Sequence, residues 1–267
     1  MNSLTIFVIN FKVSFCATAN VAANGATATR LLPFIGNTIR GALGQALYNH
    51  DRDTFDAVFK VDNDISAPNA FSLSVPYPSK GSYDAGDAFV FQVRLFGKAG
   101  AYSKNIIKAA SAMNMGKLAN AKIDFMHMDR YDWADEMQAS APVCEAIKLD
   151  FITPTELISG KRPVRTPEFP FFVDILFGRI SDICEYYGDR EFIIPYALVA
   201  RKPLISAEYF NKPVEINSNK QPIRGFTGRI HYYGDLTRYA PYFALGSMLN
   251  IGKKTTRSCG EYRIALE

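Results

Sequence analysis

Two stretches of this chain repeat one pattern, and that repetition restricts the available folds more than any other feature of the sequence. Residues 95–117, LFGKAGAYSKNIIKAASAMNMGK, align with residues 232–253, YYGDLTRYAPYFALGSMLNIGK, through a single insertion. Gly97 then matches Gly234, and Asn114-Met115-Gly116-Lys117 matches Asn250-Ile251-Gly252-Lys253. Each copy reads as a strand end, a turn glycine, a helix and an N-x-G-K turn. A length of 267 residues fits two units of ordinary size, so two related units are expected.

The flanking periodicity supplies the rest of each unit. Residues 4–17 carry β-branched and aromatic residues at strand spacing, and 33–48 switch to helical spacing with Leu43, Ala46 and Leu47 on one stripe. Residues 71–75 and 89–95 return to strand character around the turn-rich PYPSKGSYDAGD. A helix over 103–113 and a strand over 121–128 complete the order β-α-β-β-α-β. In the second half a strand is predicted over 146–153. The segment FFVDILFGRISDICEYYG then sets Phe172, Ile175, Leu176, Ile180, Ile183 and Cys184 at three- and four-residue steps, an amphipathic helix. Strands near 205–210 and 228–233, a helix over 239–249 and a strand over 261–266 repeat the order. The expected class is α+β, with two tandem ferredoxin-like (RRM-like) domains over 1–128 and 145–267 and an acidic, turn-rich linker over 129–144.

With 48% hydrophobic and 21% charged residues, the chain has the apolar material for real cores. A formal charge of +4 is only mildly basic, so a polyanionic partner must be met by a local patch. The C-terminal end provides one. Lys220, Arg224, Arg229, Arg238, Lys253, Lys254, Arg257 and Arg263 stand there against Asp235, Glu261 and Glu267. Cys16, Cys144, Cys184 and Cys259 lie far apart without a C-x-x-C pair, which points to neither zinc nor a disulfide framework and fits a reducing cytoplasm. The opening MNSLTIFVINFKVSF alternates apolar and polar residues, unlike a signal peptide, and no apolar run reaches bilayer length. A soluble, cytoplasmic protein without a membrane partner is expected.

Residues 225–263 read GFTGRIHYYGDLTRYAPYFALGSMLNIGKKTTRSCGEYR. This run resembles the C-terminal half of the CRISPR precursor-RNA-processing endoribonucleases of the repeat-associated mysterious protein (RAMP) superfamily. Those proteins carry a G-x-x-G strand, a G-D-L turn, a helix ending in L-x-x-G and a G-K-x-T-T loop before the last strand. Upstream, Thr153-Pro154-Thr155-Glu156-Leu157 resembles the family's T-P-x-x-L, Arg179-Ile180-Ser181 its R-I-S, and Arg40-Gly41-Ala42-Leu43-Gly44 its R-G-x-x-G helix start. Lys254 and Ser258 stand where the family loop usually has glycines, and Arg257 where an apolar residue is common. These departures point to a divergent branch, with type IV CRISPR systems as its candidate source.

The resemblance implies a metal-independent endoribonuclease without cofactor that binds repeat stem-loops. It would cut on the 3′ side of the hairpin by attack of the 2′-hydroxyl, leaving a 2′,3′-cyclic phosphate and a 5′-hydroxyl. It would then stay on the mature guide RNA beside other subunits of a CRISPR effector complex. The alternative is a non-catalytic member of the same superfamily that only holds guide RNA.

An RNA hairpin presents phosphates and 2′-hydroxyls in grooves read mainly by shape, so a binder needs spaced cations and backbone donors at loop ends. The turn with Lys253, Lys254, Thr255, Thr256 and Arg257 supplies both, although taken alone it is also what a solvated basic turn looks like. Arg229, His231 and Arg238 are the further expected RNA contacts, with solvent exposure as the blander account of His231. Cleavage without metal needs a proton acceptor, a proton donor and positive charge at the phosphorus. His50 is the candidate acid or base, or else a polar helix end favoured by the helix dipole. Arg40 and Arg30 are the candidate phosphate-binding residues, since arginine stays protonated and stabilises charge; a surface salt bridge or helix-face charge suits Arg40 as well, and Arg30 more so. His127, among apolar neighbours, is expected to be structural. Asp51, Asp53 and Asp56 have no histidine at metal spacing, and no metal site is expected.

Overall fold

The computed structural model describes residues 3–16, 29–30, 32–60, 67–113, 121–134, 143–189, 192–193, 195, 198–199, 204–217 and 222–267. Strand β1 (Ser3–Phe15) leads through the short β2 (Thr29–Arg30) into helices α1 (Gly36–His50) and α2 (Arg52–Val58). Strands β3 (Phe71–Ser74), β4 (Ser82–Tyr83) and β5 (Ala88–Phe96), helix α3 (Ser103–Ser111) and strand β6 (Ala121–Ala134) follow. The second half begins with β7 (Ala146–Thr155), then a small hairpin, β8 (Leu157–Ser159) and β9 (Arg162–Val164), and helix α4 (Phe169–Tyr187). It closes with β10 (Ser206–Ile216), β11 (Ile223–Tyr233), α5 (Ala240–Leu249) and β12 (Tyr262–Leu266).

The sheets run β3-β5-β1-β6 and β10-β11-β7-β12, with every neighbouring pair antiparallel. In both, the strands of the β-α-β-β-α-β order lie second, third, first, fourth. This is the ferredoxin-like arrangement, made twice in one α+β chain.

Strand β1 explains why its sequence is apolar at both parities. Side chains alternate between sheet faces, and Ile9, Phe11 and Val13 enter the core of the first sheet and its helices. Leu4, Ile6 and Val8 instead join the core built by the second half, with Leu149, Phe172, Leu176 and Tyr242. The two sheets therefore share a wall.

Two stretches depart from expectation. Strand β6 runs six residues into the segment expected as a linker, because Ala134 pairs with Ser3 at the far end of the long β1. The sequence also gives no warning of α2. Asp51, considered above only as one of three loose carboxylates, is its N-cap, accepting from the Thr54 backbone N–H at 3.0 Å. Residues 114–117 of the first N-x-G-K copy, and Lys220, lie outside the described residues. Among the described residues no helix is long and apolar enough to cross a membrane.

The cap carries a pH signature. The backbone N–H of Thr54, followed by its hydroxyl, holds the Asp51 carboxyl below its ordinary value of 3.8. A depressed carboxyl pKa stabilises the fold fully above the unfolded value, and that contribution is lost as pH falls through the folded value. Asp51→Ala is expected to melt at lower temperature than the parent at neutral pH. The gap between the two thermal melting curves should narrow below about pH 4.

Candidate nucleic-acid interface

The basic turn lies where β7 ends and β11 and β12 begin. Helix α5 stops at Asn250, whose φ of +56° turns the chain out of the helix. Its side-chain amide donates to the carbonyls of Leu73 (3.1 Å) and Cys259 (3.2 Å), so it holds the turn's two ends and reaches β3. The Lys253 backbone N–H donates to the Glu156 carbonyl at 3.0 Å. The Ser258 hydroxyl accepts from the Val75 backbone N–H at 3.0 Å. From beneath, Arg179 of α4 donates to the Leu249 carbonyl at 3.3 Å and the Thr255 hydroxyl at 3.2 Å. Burial pushes the Arg179 pKa down to about 10, which leaves it charged at neutral pH.

The start of α1 packs directly on this turn. A Cβ added at Gly36 would sit 1.9 Å from the Arg257 carbonyl oxygen, so only glycine allows the approach. One turn further along, Arg40 Nε donates to Thr256 Oγ1 at 3.1 Å, and its guanidinium lies 5.6 Å from the Phe59 ring centroid. Burial first, and the neighbouring Arg257 charge second, lower the Arg40 pKa from the ordinary arginine value. Two guanidinium groups from opposite ends of the chain are thus held in one field, an arrangement that a phosphate's negative charge would relieve.

The predicted residues divide accordingly. Arg40, Thr256 and Arg257 come together, and Lys253 is exposed beside them. Lys254 does not face outward as expected. Its left-handed backbone (φ +62°) directs the ammonium onto the Glu156 carboxylate and the Pro222 carbonyl. Thr255 and Thr256 are each only 5% exposed, and their hydroxyls accept from Arg179 and Arg40. His50 is exposed at the last position of α1; ten residues of helix set it about 15 Å along the axis from Arg40. The expected pairing of His50 with the arginines is therefore not made. Arg30 lies in β2, and its side chain is outside the described residues.

Arg229 and His231 form a second cluster on the outer face of the second sheet. The Arg229 guanidinium lies 5.7 Å and the His231 ring 5.2 Å from the ring of Phe210, which is half exposed. His231 Nδ1 is 3.2 Å from the Tyr233 hydroxyl, which donates to Glu208. Arg238 is exposed at the opposite end of β11 and α5 from the turn. His127 is exposed on β6 with Asp129 at 3.3 Å, a surface pair rather than the apolar setting expected.

Sequence reasoning assigned no part to Arg179, Asn250, Arg94 and Glu261. One signal was available for Arg179, a charged residue inside the apolar stripe of α4. Asn250 stood in the repeated N-x-G-K. Arg94 and Glu261 pair at 2.7 Å in the wall of a cleft of about 910 Å³ between the sheets. Nothing local to either residue announces that pair.

Residues 149–262 match the family model described as CRISPR-associated endoribonuclease Cas6, and residues 14–151 match one described as an N-terminal domain. Against the curated proteins the sequence has no match. Thermus thermophilus Cas6 is similar in structure, with a TM-score of 0.61 at 12% identity, covering 99% of this chain and 99% of that one. A Cas6 product complex gives 0.61 at 14% identity over 98% of this chain and 99% of the other. A partial Cas6-RT-Cas1–Cas2 complex gives 0.63 at 12% identity, covering all of this chain and 46% of that one. At such identities the structural likeness speaks for the fold.

Proposed function

We propose that the chain, whose residues 149–262 match the Cas6 endoribonuclease family model, is a Cas6-type protein of the RAMP superfamily that binds CRISPR repeat stem-loops and cleaves precursor CRISPR RNA without metal. The observation that carries the reading is the Arg40 to Thr256 hydrogen bond, which joins the start of α1 to the basic turn across 216 residues of sequence. Arg40 and Arg257 bind the scissile phosphate on this reading, while Lys253 meets the stem backbone. The 2′-oxygen forms a bond to phosphorus as the bond from phosphorus to the 5′-oxygen breaks. The 2′-hydroxyl gives up its proton and the leaving oxygen gains one, so the products are a 2′,3′-cyclic phosphate and a 5′-hydroxyl. Arginine stabilises the charge of this step and is a poor base, so turnover is slow on this reading.

A second reading, a subunit that holds guide RNA without cutting it, is favoured by one observation. All three histidines stand apart from the arginine pair: His50 at the far end of α1, His127 on β6, and His231 on the outer face of β11. Labelled repeat hairpin incubated with the protein in EDTA tests both. The enzyme reading expects a shortened product ending in a cyclic phosphate. Retained but intact RNA favours the holding subunit, and RNA that is neither bound nor cut overturns both.

A further inference from the structure

A second concavity opens on the other side of Arg40, between α1 and α2, with a volume of about 220 Å³. It is smaller than the pockets that take whole drug-sized ligands and has room for one flat ring system. Its walls are aromatic. Phe55 and Phe59 lie nearly parallel, 15° apart at 5.7 Å, and Tyr48 meets Phe55 edge-on at 5.4 Å. Arg40 closes one end over Phe59, and Arg52 lies 4.1 Å over the ring of Tyr48 near the other. Gln45 brings to the rim an amide whose nitrogen donates to Asn49 at 2.9 Å, with its oxygen and second N–H as a further acceptor and donor. Among the described residues, none of those lining the cavity is acidic.

The two glycines of the cavity differ. At Gly44 an added Cβ would press the Phe59 ring at 3.1 Å, so packing accounts for it. At Gly41 an added Cβ would meet nothing within 4 Å. Glycine inside a helix is less stable than alanine, and here no neighbour requires it. Gly41 lines the cavity beside Arg40.

We infer that this cavity receives one unpaired nucleobase of the bound RNA, next to the phosphate engaged by Arg40, stacked among Tyr48, Phe55 and Phe59 with its edge toward Gln45. Aromatic walls and guanidinium ends match a planar π-system on an anionic backbone, although Arg52 also pairs with Asp56 at 3.4 Å. The inference rests on the RNA-binding reading above and adds a recognition site for a nucleotide flanking the stem.

The test compares a repeat hairpin carrying its flanking unpaired nucleotides with one in which they are abasic, by direct binding to the parent, Gly41→Ala and Gly41→Leu. The parent is expected to bind the abasic hairpin about tenfold more weakly than the intact one. Gly41→Leu fills the cavity and should bind the intact hairpin about tenfold more weakly than the parent does, with no change on the abasic one. Gly41→Ala should melt at or above the parent temperature, which separates loss of binding from loss of fold. A parent that binds both hairpins equally, or a Gly41→Leu protein that weakens both alike, overturns the pocket and leaves the RNA-binding reading standing. A parent that binds neither overturns both.

Discussion

Arg40→Ala is expected to lower cleavage of a repeat hairpin about 10²-fold, or its affinity correspondingly if the protein only holds RNA. An aimed cationic donor at a developing phosphorane contributes on that scale. The variant loses more than a charge, because the Nε bond to Thr256 also fixes the distance between α1 and the basic turn. Arg40→Lys keeps the charge without the planar, forked donor set, so it should fall between the parent and the alanine variant. His50→Ala should cleave and bind like the parent, since helix geometry sets His50 away from this site. Measured single-turnover rates and dissociation constants for the three variants decide the matter. Loss of cleavage in His50→Ala with retention in Arg40→Ala would sink the arginine-centred site.

The second large effect concerns the wall between the two halves. Arg94→Leu is expected to destabilise the protein by about 3–5 kcal/mol, the range for removing one partner of a buried ion pair. Arg94 donates to Glu261 at 2.7 Å, Asn250 at 2.9 Å, Gln92 at 3.1 Å and the Ser247 carbonyl at 3.2 Å. Among the described residues, Glu261 then keeps only the Ser74 hydroxyl at 2.8 Å, and its second oxygen is buried without a hydrogen-bond partner. Replacing both residues by leucine should recover much of the loss, because two well-packed apolar side chains leave no unpaired charge. Denaturant unfolding of the single and double variants reads the difference. Asn250 precedes the basic turn and Glu261 follows it, so Arg94→Leu should also weaken RNA binding. A single variant as stable as the parent would show that the pair contributes little.

Much of this architecture was legible in local pattern. Period-two and period-3.6 apolar spacing places β1, α1, α4, α5 and the central strands, since each buries one or both faces against a core. The repeated turn glycine and N-x-G-K announced that the order is made twice. Local pattern failed where partners are distant. Strand β6 is long because β1, more than a hundred residues earlier, offers it rungs to Ser3. Helix α2 is too short for a periodic signal, and its identifying feature, the Asp51 cap, rests on local hydrogen bonds from Thr54.

The candidate site divides in the same way. The sequence alone determined that the C-terminal end is basic, that Arg40 lies in the first helix and that a glycine-containing turn precedes the last strand. Only the tertiary structure decided which of those cations share a field. Left-handed backbone at Lys254 and a carboxylate at Glu156 turn one lysine inward, burial gives two threonines to two arginines, and Gly36 lets α1 touch the turn. The reason is physical: a strand or helix needs only its own spacing to be recognised, whereas a site is made by side chains whose neighbours in space are far apart along the chain.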